Sequence, residues 1–414
     1  MVSVTWGIAL ALCTQLVSAG DPLATVSWRT GNNKVDTIIE ALTADEKVSL
    51  VHGAVDSDGD QQQAGYSVPI TSQNIPAIRL TDGEAGINIV QNATGSPTQL
   101  NVAATWSLSA AYQHGVITGK ESKLFNMAVA LSPRVNILRD PTGLTLDDGL
   151  DELVAKVAAV NPNTVVVLNN AEPVLMPWLA DVAAVLEMLY PNQEGGWATA
   201  DLLLGNNVPQ GRLPVTYPAS LDSTMTRNPD YPERVATESG NATFSEGLNN
   251  GYRWYVHTNT SVLFPFGYGL SYTTFDYSSP NFAAASSAQQ QSSDGLNYEV
   301  SCSPDDAEAV FSVSFTVTNT GSVKGVEVPQ VYIGPPADAA TAYPDVQFAA
   351  TVLAGFANVE LEAGGSTTVS IGVREKQLSF YNTNTTSWEL AKGERAVYIS
   401  KNAEEAVFTG HVQL

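Results

Sequence analysis

The sequence predicts a mixed α/β chain that ends in an all-β sandwich. Three observations predict it. Helical and strand patterns alternate between Val35 and Leu131. The unbroken apolar run Thr164–Leu168 has the composition of a parallel strand, and helical patterns flank it. Near the end, Phe311, Val313, Phe315 and Val317 alternate with Ser312, Ser314, Thr316 and Thr318, which is the period of a half-buried strand.

Taken in order, Ile38, Ile39, Leu42, Val48 and Leu50 mark helix from Val35 to Val51, and Thr43 with Glu46 forms a capping box for its second half. Asp56 to Gln63 is a polar loop. Ile78 to Gly83 reads as a short strand ending in a turn, Ala110 to Lys123 as a helix and Ala128 to Leu131 as another strand. This is the grammar of a β/α barrel, but a closed eight-stranded barrel needs roughly 250 residues. Gly20–Pro141 offers about half of that, so residues 20–141 are expected to form only the N-terminal part of one. Beyond the junction, Leu150, Leu153, Val154, Val157 and Ala158 share one helical face ahead of Thr164–Leu168. A second apolar run, Val182–Leu189, leads into Pro191-Asn192-Gln193-Glu194-Gly195-Gly196 and a helix from Trp197 to Leu204. Residues 142–282 are therefore expected to form an open α/β layer. The Ser-, Ala- and Gln-rich stretch 283–295 reads as a linker. Further alternation at Val369, Ile371 and Val373 and the run Ala396–Ser400 make residues 296–414 a β-sandwich of the fibronectin type III kind.

Composition narrows the function. A formal charge of −23 opposes binding to nucleic acid or to an anionic membrane, so neutral partners such as sugars are expected. Residues 1–19 read as a secretory signal, with an apolar stretch from Gly7 to Val17 and the small-residue pattern Val17-Ser18-Ala19. Cleavage there removes Cys13 and leaves Cys302 as a lone thiol, expected to be buried. The sequons at Asn92, Asn241, Asn259 and Asn384 agree with an extracellular, glycosylated product. His52, His114, His257 and His411 lack metal-ligand spacing, and no phosphate loop, dinucleotide fingerprint or serine elbow occurs, so neither metal nor cofactor is expected.

The run Leu263-Phe264-Pro265-Phe266-Gly267-Tyr268-Gly269-Leu270-Ser271-Tyr272-Thr273-Thr274-Phe275 resembles a signature of glycoside hydrolase family 3. Ser245-Glu246-Gly247, Gly251-Tyr252-Arg253-Trp254-Tyr255, Gln193-Glu194-Gly195-Gly196 and Gly211-Arg212-Leu213-Pro214-Val215-Thr216 extend the resemblance. So do Leu42 to Val48, Asp82-Gly83-Glu84-Ala85-Gly86, Ala104-Thr105-Trp106 and Pro133-Arg134-Val135. The chain thus looks like a fungal-type secreted β-glucosidase, an enzyme class that removes terminal non-reducing β-D-glucosyl residues from cello-oligosaccharides and aryl glucosides with retention. The resemblance implies that Asp82 accepts hydrogen bonds from sugar hydroxyls, as an ionised carboxylate does well. The bland reading is a turn-capping Asp before Gly. Glu84 stands where the family has proline.

The family continues into Arg-Asn-Trp-Glu, Lys-His and Ser-Asp-Trp segments, the last carrying the nucleophile, and none occurs here. Arg139-Asp140-Pro141 instead meets Thr142-Gly143-Leu144-Thr145-Leu146, which resembles a stretch well inside the second family domain. By the resemblance, nucleophile and acid/base are both missing, and no catalytic residue is assigned. Glu194 fits a carboxylate in the first turn of a helix better than an acid. The aromatics Tyr252, Trp254, Tyr255, Phe264, Phe266, Tyr268, Tyr272 and Phe275 read as domain packing rather than a sugar platform, with Trp254 and Tyr268 the first to test otherwise. Three products remain open: a working β-glucosidase, a non-catalytic carbohydrate-binding remnant, or a coding sequence from which the stretch between Pro141 and Thr142 was omitted. A half barrel is also expected to leave strand edges and apolar faces in solvent, which favours aggregation.

Overall fold

The first helical stretch is two helices, because Thr43 leaves helical geometry to cap the second. α1 (Asn33–Ala41) is capped by Asn32, whose side chain accepts the Lys34 and Val35 amides. α2 (Ala44–Val51) opens on the capping box: Thr43 Oγ1 accepts the Glu46 amide at 3.2 Å, and the Glu46 carboxylate accepts the Thr43 amide at 2.8 Å. The computed structural model describes residues 30–55, 63–87, 90, 92–133, 144–146, 149–235, 240–284 and 309–414. The expected signal, the Pro141–Thr142 junction, Cys13, Cys302 and the linker beyond Ala284 lie outside the described residues.

The chain divides into two compact units. Met1–Ser96 with His114–Arg134 makes the first, and Pro97–Gln113 with Val135–Leu414 the second. In the first unit, β1 (Gly65–Ser67) pairs antiparallel with β2 (Ile78–Asp82). The chain then passes through α3 (Gln99–Ala104) and the long α4 (Leu108–Leu124) to β3 (Val129–Leu131). β3 lies parallel to β2 with Leu131 opposite Asp82. A parallel pair joined through a helix is the β/α alternation expected here, alongside an antiparallel β1–β2 pair. Val129 and Leu131 are exposed on this outer strand.

In the second unit, α5 (Leu150–Val160) precedes β4 (Val165–Leu168), which pairs in parallel with β5 (Ala184–Glu187). The side chains of Val154, Val166, Leu168, Val174, Met176, Trp178 and Tyr217 form the core beneath them. Two expectations need correction here. β4 is not buried on both faces, since Val165 is exposed while Val166 and Leu168 are buried. On α5 only Val154 and Ala158 face the core, one turn apart, whereas Leu150, Leu153 and Val157 form the neighbouring row in solvent. The cause is the same for both: among the described residues the sheet has two strands, so a stripe suited to a wider layer overhangs it. The expected glycine turn is corrected: Gly195 and Gly196 open α6 (Gly195–Leu203), and the turn before it is the single 3-10 turn Asn192–Glu194. β6 (Tyr217–Pro218) pairs with β7 (Val262–Phe264), between which lies α7 (Tyr252–Thr258).

The sandwich begins with β8 (Phe275–Ala284) and β9 (Ala309–Asn319), the latter alternating buried and half-buried from Phe311 to Asn319 as its sequence requires. β10 (Gly325–Glu327), β11 (Gln330–Pro336), β12 (Val352–Phe356), β13 (Val359–Leu361) and β14 (Ser366–Arg374) follow. A hairpin of β15 (Ser379–Asn382) and β16 (Ser387–Leu390) leads to β17 (Glu394–Ser400) and β18 (Ala406–Gln413). One sheet runs β14-β9-β8 and the other β12-β11-β17-β18, and Val313, Phe315, Val317, Val331, Ile371, Val373, Val397 and Ile399 fill the space between them. No helix among the described residues is long and apolar enough to cross a membrane.

Candidate functional site

Asp82 ends β2 at its carboxyl edge, the position from which β/α folds present ligand-binding loops. Its carboxylate is exposed and makes no hydrogen bond or ion pair among the described residues. The loop after it is held from both sides. Ser132 Oγ donates to Gly83 O at 2.9 Å, and a Cβ at Gly83 would come within 2.6 Å of Ser132 Cβ. Gly86 takes φ +88, and a Cβ there would meet Thr94 O at 2.5 Å. Glu84, standing where the family has proline, is half-buried within this anchored loop. Asp82 therefore stands exposed at the start of a loop that Ser132 anchors.

The motif residues around 245–275 turn out to be a clamp between the α/β layer and the sandwich. Arg234, 3% exposed, lies 3.8 Å over the Tyr231 ring and 4.5 Å over Trp254, and its Nε donates to Ser245 Oγ at 2.8 Å and sits 3.6 Å from Glu246 Oε2. Ser245 in turn donates to Glu233. Gly267, at φ +82, lets Gln330 approach so closely that a Cβ would lie 2.2 Å from its Oε1, and Gln330 Nε2 donates to Gly267 O and Lys401 O. Phe266 stacks on Tyr252 at 4.8 Å and packs against Trp106 at 5.1 Å. Trp106 donates from Nε1 to Arg212 O, which ties residues 97–113 into this unit. Arg212 reaches Glu327 Oε2 at 2.9 Å, and Tyr277 donates to Glu327 Oε1 at 2.8 Å, all three groups being buried. The packing reading of the aromatics accounts for these contacts. Trp254 is closed off by Arg234, and Tyr268 stacks on Phe264 at 5.2 Å.

Two features had escaped the sequence reading. Glu187 at the end of β5 accepts hydrogen bonds from Tyr217 Oη at 2.6 Å and the Leu189 amide at 2.7 Å. Burial pushes its carboxyl up to about 6, against the pull of those donors. Both oxygens are thereby engaged in packing, so Glu187 is not an available acid. The available signal was a carboxylate inside the apolar run Val182–Leu189. The second is a cavity of about 290 Å³ bounded by Thr216, Asn250, Tyr252, Arg253, Tyr255 and Phe266. Glu194 precedes α6, exposed and without a side-chain capping bond. Asn92, Asn241, Asn259 and Asn384 are all exposed. No cluster of three or more metal-binding side chains occurs among the described residues.

Residues 121–272 match the glycosyl hydrolase family 3 C-terminal domain, and residues 327–403 match the fibronectin type III-like domain. The chain carries a family 3 C-terminal domain followed by a fibronectin type III-like sandwich. It is 35% identical over 266 residues to a probable β-glucosidase I of Aspergillus flavus, covering 64% of this chain and 29% of the relative. Against β-glucosidase B of Emericella nidulans the figures are 35% over 272 residues, 64% and 29%. The chain thus spans under a third of the length of these curated relatives. Among solved structures, a β-glucosidase of Streptomyces venezuelae in complex with D-glucose superposes with a TM-score of 0.56 at 30% identity, over 74% of this chain and 36% of that one. The clamp built from Arg212, Glu246, Tyr252 and Gly267 lies within the family 3 match or at its contact with Glu327 and Gln330 of the following domain.

Proposed function

We propose that this chain is a β-glucosidase-like protein of the secretory route that recognises terminal β-D-glucosyl groups through Asp82, and that it does not itself cleave them. The observation carrying the proposal is the match of residues 121–272 to the family 3 C-terminal domain, with relatives named β-glucosidases. The exposed carboxylate of Asp82 at a strand's carboxyl end supports the binding role. Retaining hydrolysis needs two carboxyl groups about 5 Å apart, one to attack the anomeric carbon and one to protonate the leaving oxygen. The segment that carries the nucleophile in the family has no counterpart in the sequence, and Glu187 and Glu246 are committed to Tyr217 and Arg234.

The test has two arms. Purified chain incubated with an aryl β-glucoside is expected to release aglycone no faster than buffer, and steady turnover that Asp82→Asn abolishes would overturn the non-catalytic part. Titration with D-glucose is expected to show binding that Asp82→Asn weakens by about 10- to 100-fold, the cost of losing a charged acceptor. Equal binding by both proteins removes Asp82 from the site.

A further inference from the structure

The fibronectin type III-like domain has a groove of about 570 Å³ whose rim is the β15–β16 hairpin. Tyr381 and Trp388 stand directly opposite each other on its two strands, with rings 5.7 Å apart at 74°. They are 49% and 59% exposed, which is unusual for an aromatic pair that already has a partner. The connection between the strands, residues 383–386, holds the sequon Asn384-Thr385-Thr386. Asn382, Thr385 and Thr386 beside it are committed to bonds within the hairpin. Asn382 Oδ1 accepts the Asn384 amide at 2.9 Å, and Asn382 Nδ2 donates to Glu389 Oε1 at 3.0 Å. Thr385 Oγ1 donates to the same Glu389 oxygen at 2.6 Å, and Thr386 Oγ1 to Thr385 O at 2.8 Å. The Asn384 carboxamide is exposed and makes no side-chain hydrogen bond among the described residues, and it lines the same groove as Tyr381 and Trp388.

We propose that Asn384 is N-glycosylated and that its first N-acetylglucosamine seats on the Tyr381–Trp388 pair, so that the occupant of the groove mouth is the chain's own glycan. The proposal rests on the secretory part of the reading above and not on its glucoside part. In the modification, Asn384 Nδ2 attacks the anomeric carbon of a lipid-diphosphate-linked oligosaccharide. The C–N bond forms, the C–O bond to the diphosphate breaks, and the amide proton leaves with the released diphosphate. A pyranose ring has an apolar face of C–H groups carrying slight positive charge, which suits the negative face of an aromatic ring. Its hydroxyls and acetamide remain free for water and for Thr383, which lines the same groove. A sugar tethered four residues from Trp388 forfeits little translational freedom on docking, so a weak stacking contact suffices.

The experiment uses the full chain secreted from a eukaryotic host, with peptide mass spectrometry at all four sequons and thermal unfolding. Asn384 is expected to carry glycan. Thr386→Ala is expected to lower the midpoint by about 2–4 °C where Tyr381 and Trp388 are present and to have no glycan-dependent effect in a Tyr381→Ser, Trp388→Ser background. Asn384→Gln should reproduce Thr386→Ala, and trimming to a single N-acetylglucosamine should preserve the midpoint and keep Trp388 shielded from acrylamide. An unmodified Asn384 with the other three sequons occupied overturns the proposal, as does an equal Thr386→Ala shift in both backgrounds. Shielding of Trp388 by added cello-oligosaccharide in the glycosylated chain overturns it as well, since the groove is then open to external ligand. If all four asparagines are bare, the secretory reading fails and the proposal falls with it, whatever the result with D-glucose.

Discussion

Glu187 shows what burial does to a single charge in this protein. Its carboxyl titrates at about 6 in the folded chain, above the usual unfolded value of about 4.3, because losing water outweighs the Tyr217 and Leu189 donors. Since the folded value is raised, the contribution to stability is complete below about pH 4.3 and is lost as pH rises through 6. Relative to Glu187→Gln, the native chain should therefore lose on the order of 2 kcal/mol between pH 4 and 7. Urea unfolding of both proteins across that range checks it, and a native chain that gains stability relative to Glu187→Gln as pH rises contradicts the assignment. Asp82 is the opposite case, an exposed carboxylate at the start of an anchored loop, and the binding role proposed for it is what the Asp82→Asn titration tests.

At the scale of elements, the junction between the α/β layer and the sandwich is made by a buried ion pair, glycine approaches and stacked rings. Arg212 and Glu327 are both nearly inaccessible, and Tyr277 completes the carboxylate's hydrogen bonding. Removing one charge leaves the other buried without a counter-ion, which is far worse than removing both. Glu327→Gln is expected to destabilise the chain by about 3–5 kcal/mol, while Arg212→Met with Glu327→Leu recovers most of the loss. Equilibrium unfolding of Glu327→Gln, of Arg212→Met and Glu327→Leu singly, and of the double variant decides it, and additive costs of the last two single changes would show that the two side chains act independently. Gly267 and Gly269 belong to the same junction: a Cβ on Gly267 would strike Gln330, and one on Gly269 would lie 2.6 Å from Gly211 O.

Across the whole molecule, apolar surface is left in water at several places. Leu150, Leu153, Val157 and Val160 on α5, Val165 on β4, and Trp197, Leu203 and Leu204 at α6 are all exposed, as are Val129 and Leu131 on β3. Leu153 at 55% and Leu204 at 76% would each bury most of an aliphatic side chain on contact with another surface. The purified chain is expected to self-associate with rising concentration, and Leu153→Lys with Leu204→Lys to shift it toward monomer. Light scattering after size-exclusion chromatography measures this, and a monomer at every concentration would contradict it.

Much of the architecture was legible because its causes are local. The Thr43–Glu46 capping box and the period-two run Phe311–Thr318 act over a few residues, so sequence spacing alone determines them. The acceptor role proposed for Asp82 comes only from the resemblance to a family. What tertiary structure alone decided is partnership over long sequence separations. Arg212 finds Glu327 across 115 positions, Tyr217 finds Glu187 across 30, and α5 turns Val154 rather than Leu153 to the core. A pattern in sequence marks a face as apolar or a residue as charged. Whether that face is covered, or that charge loses its water, depends on which distant segment arrives beside it.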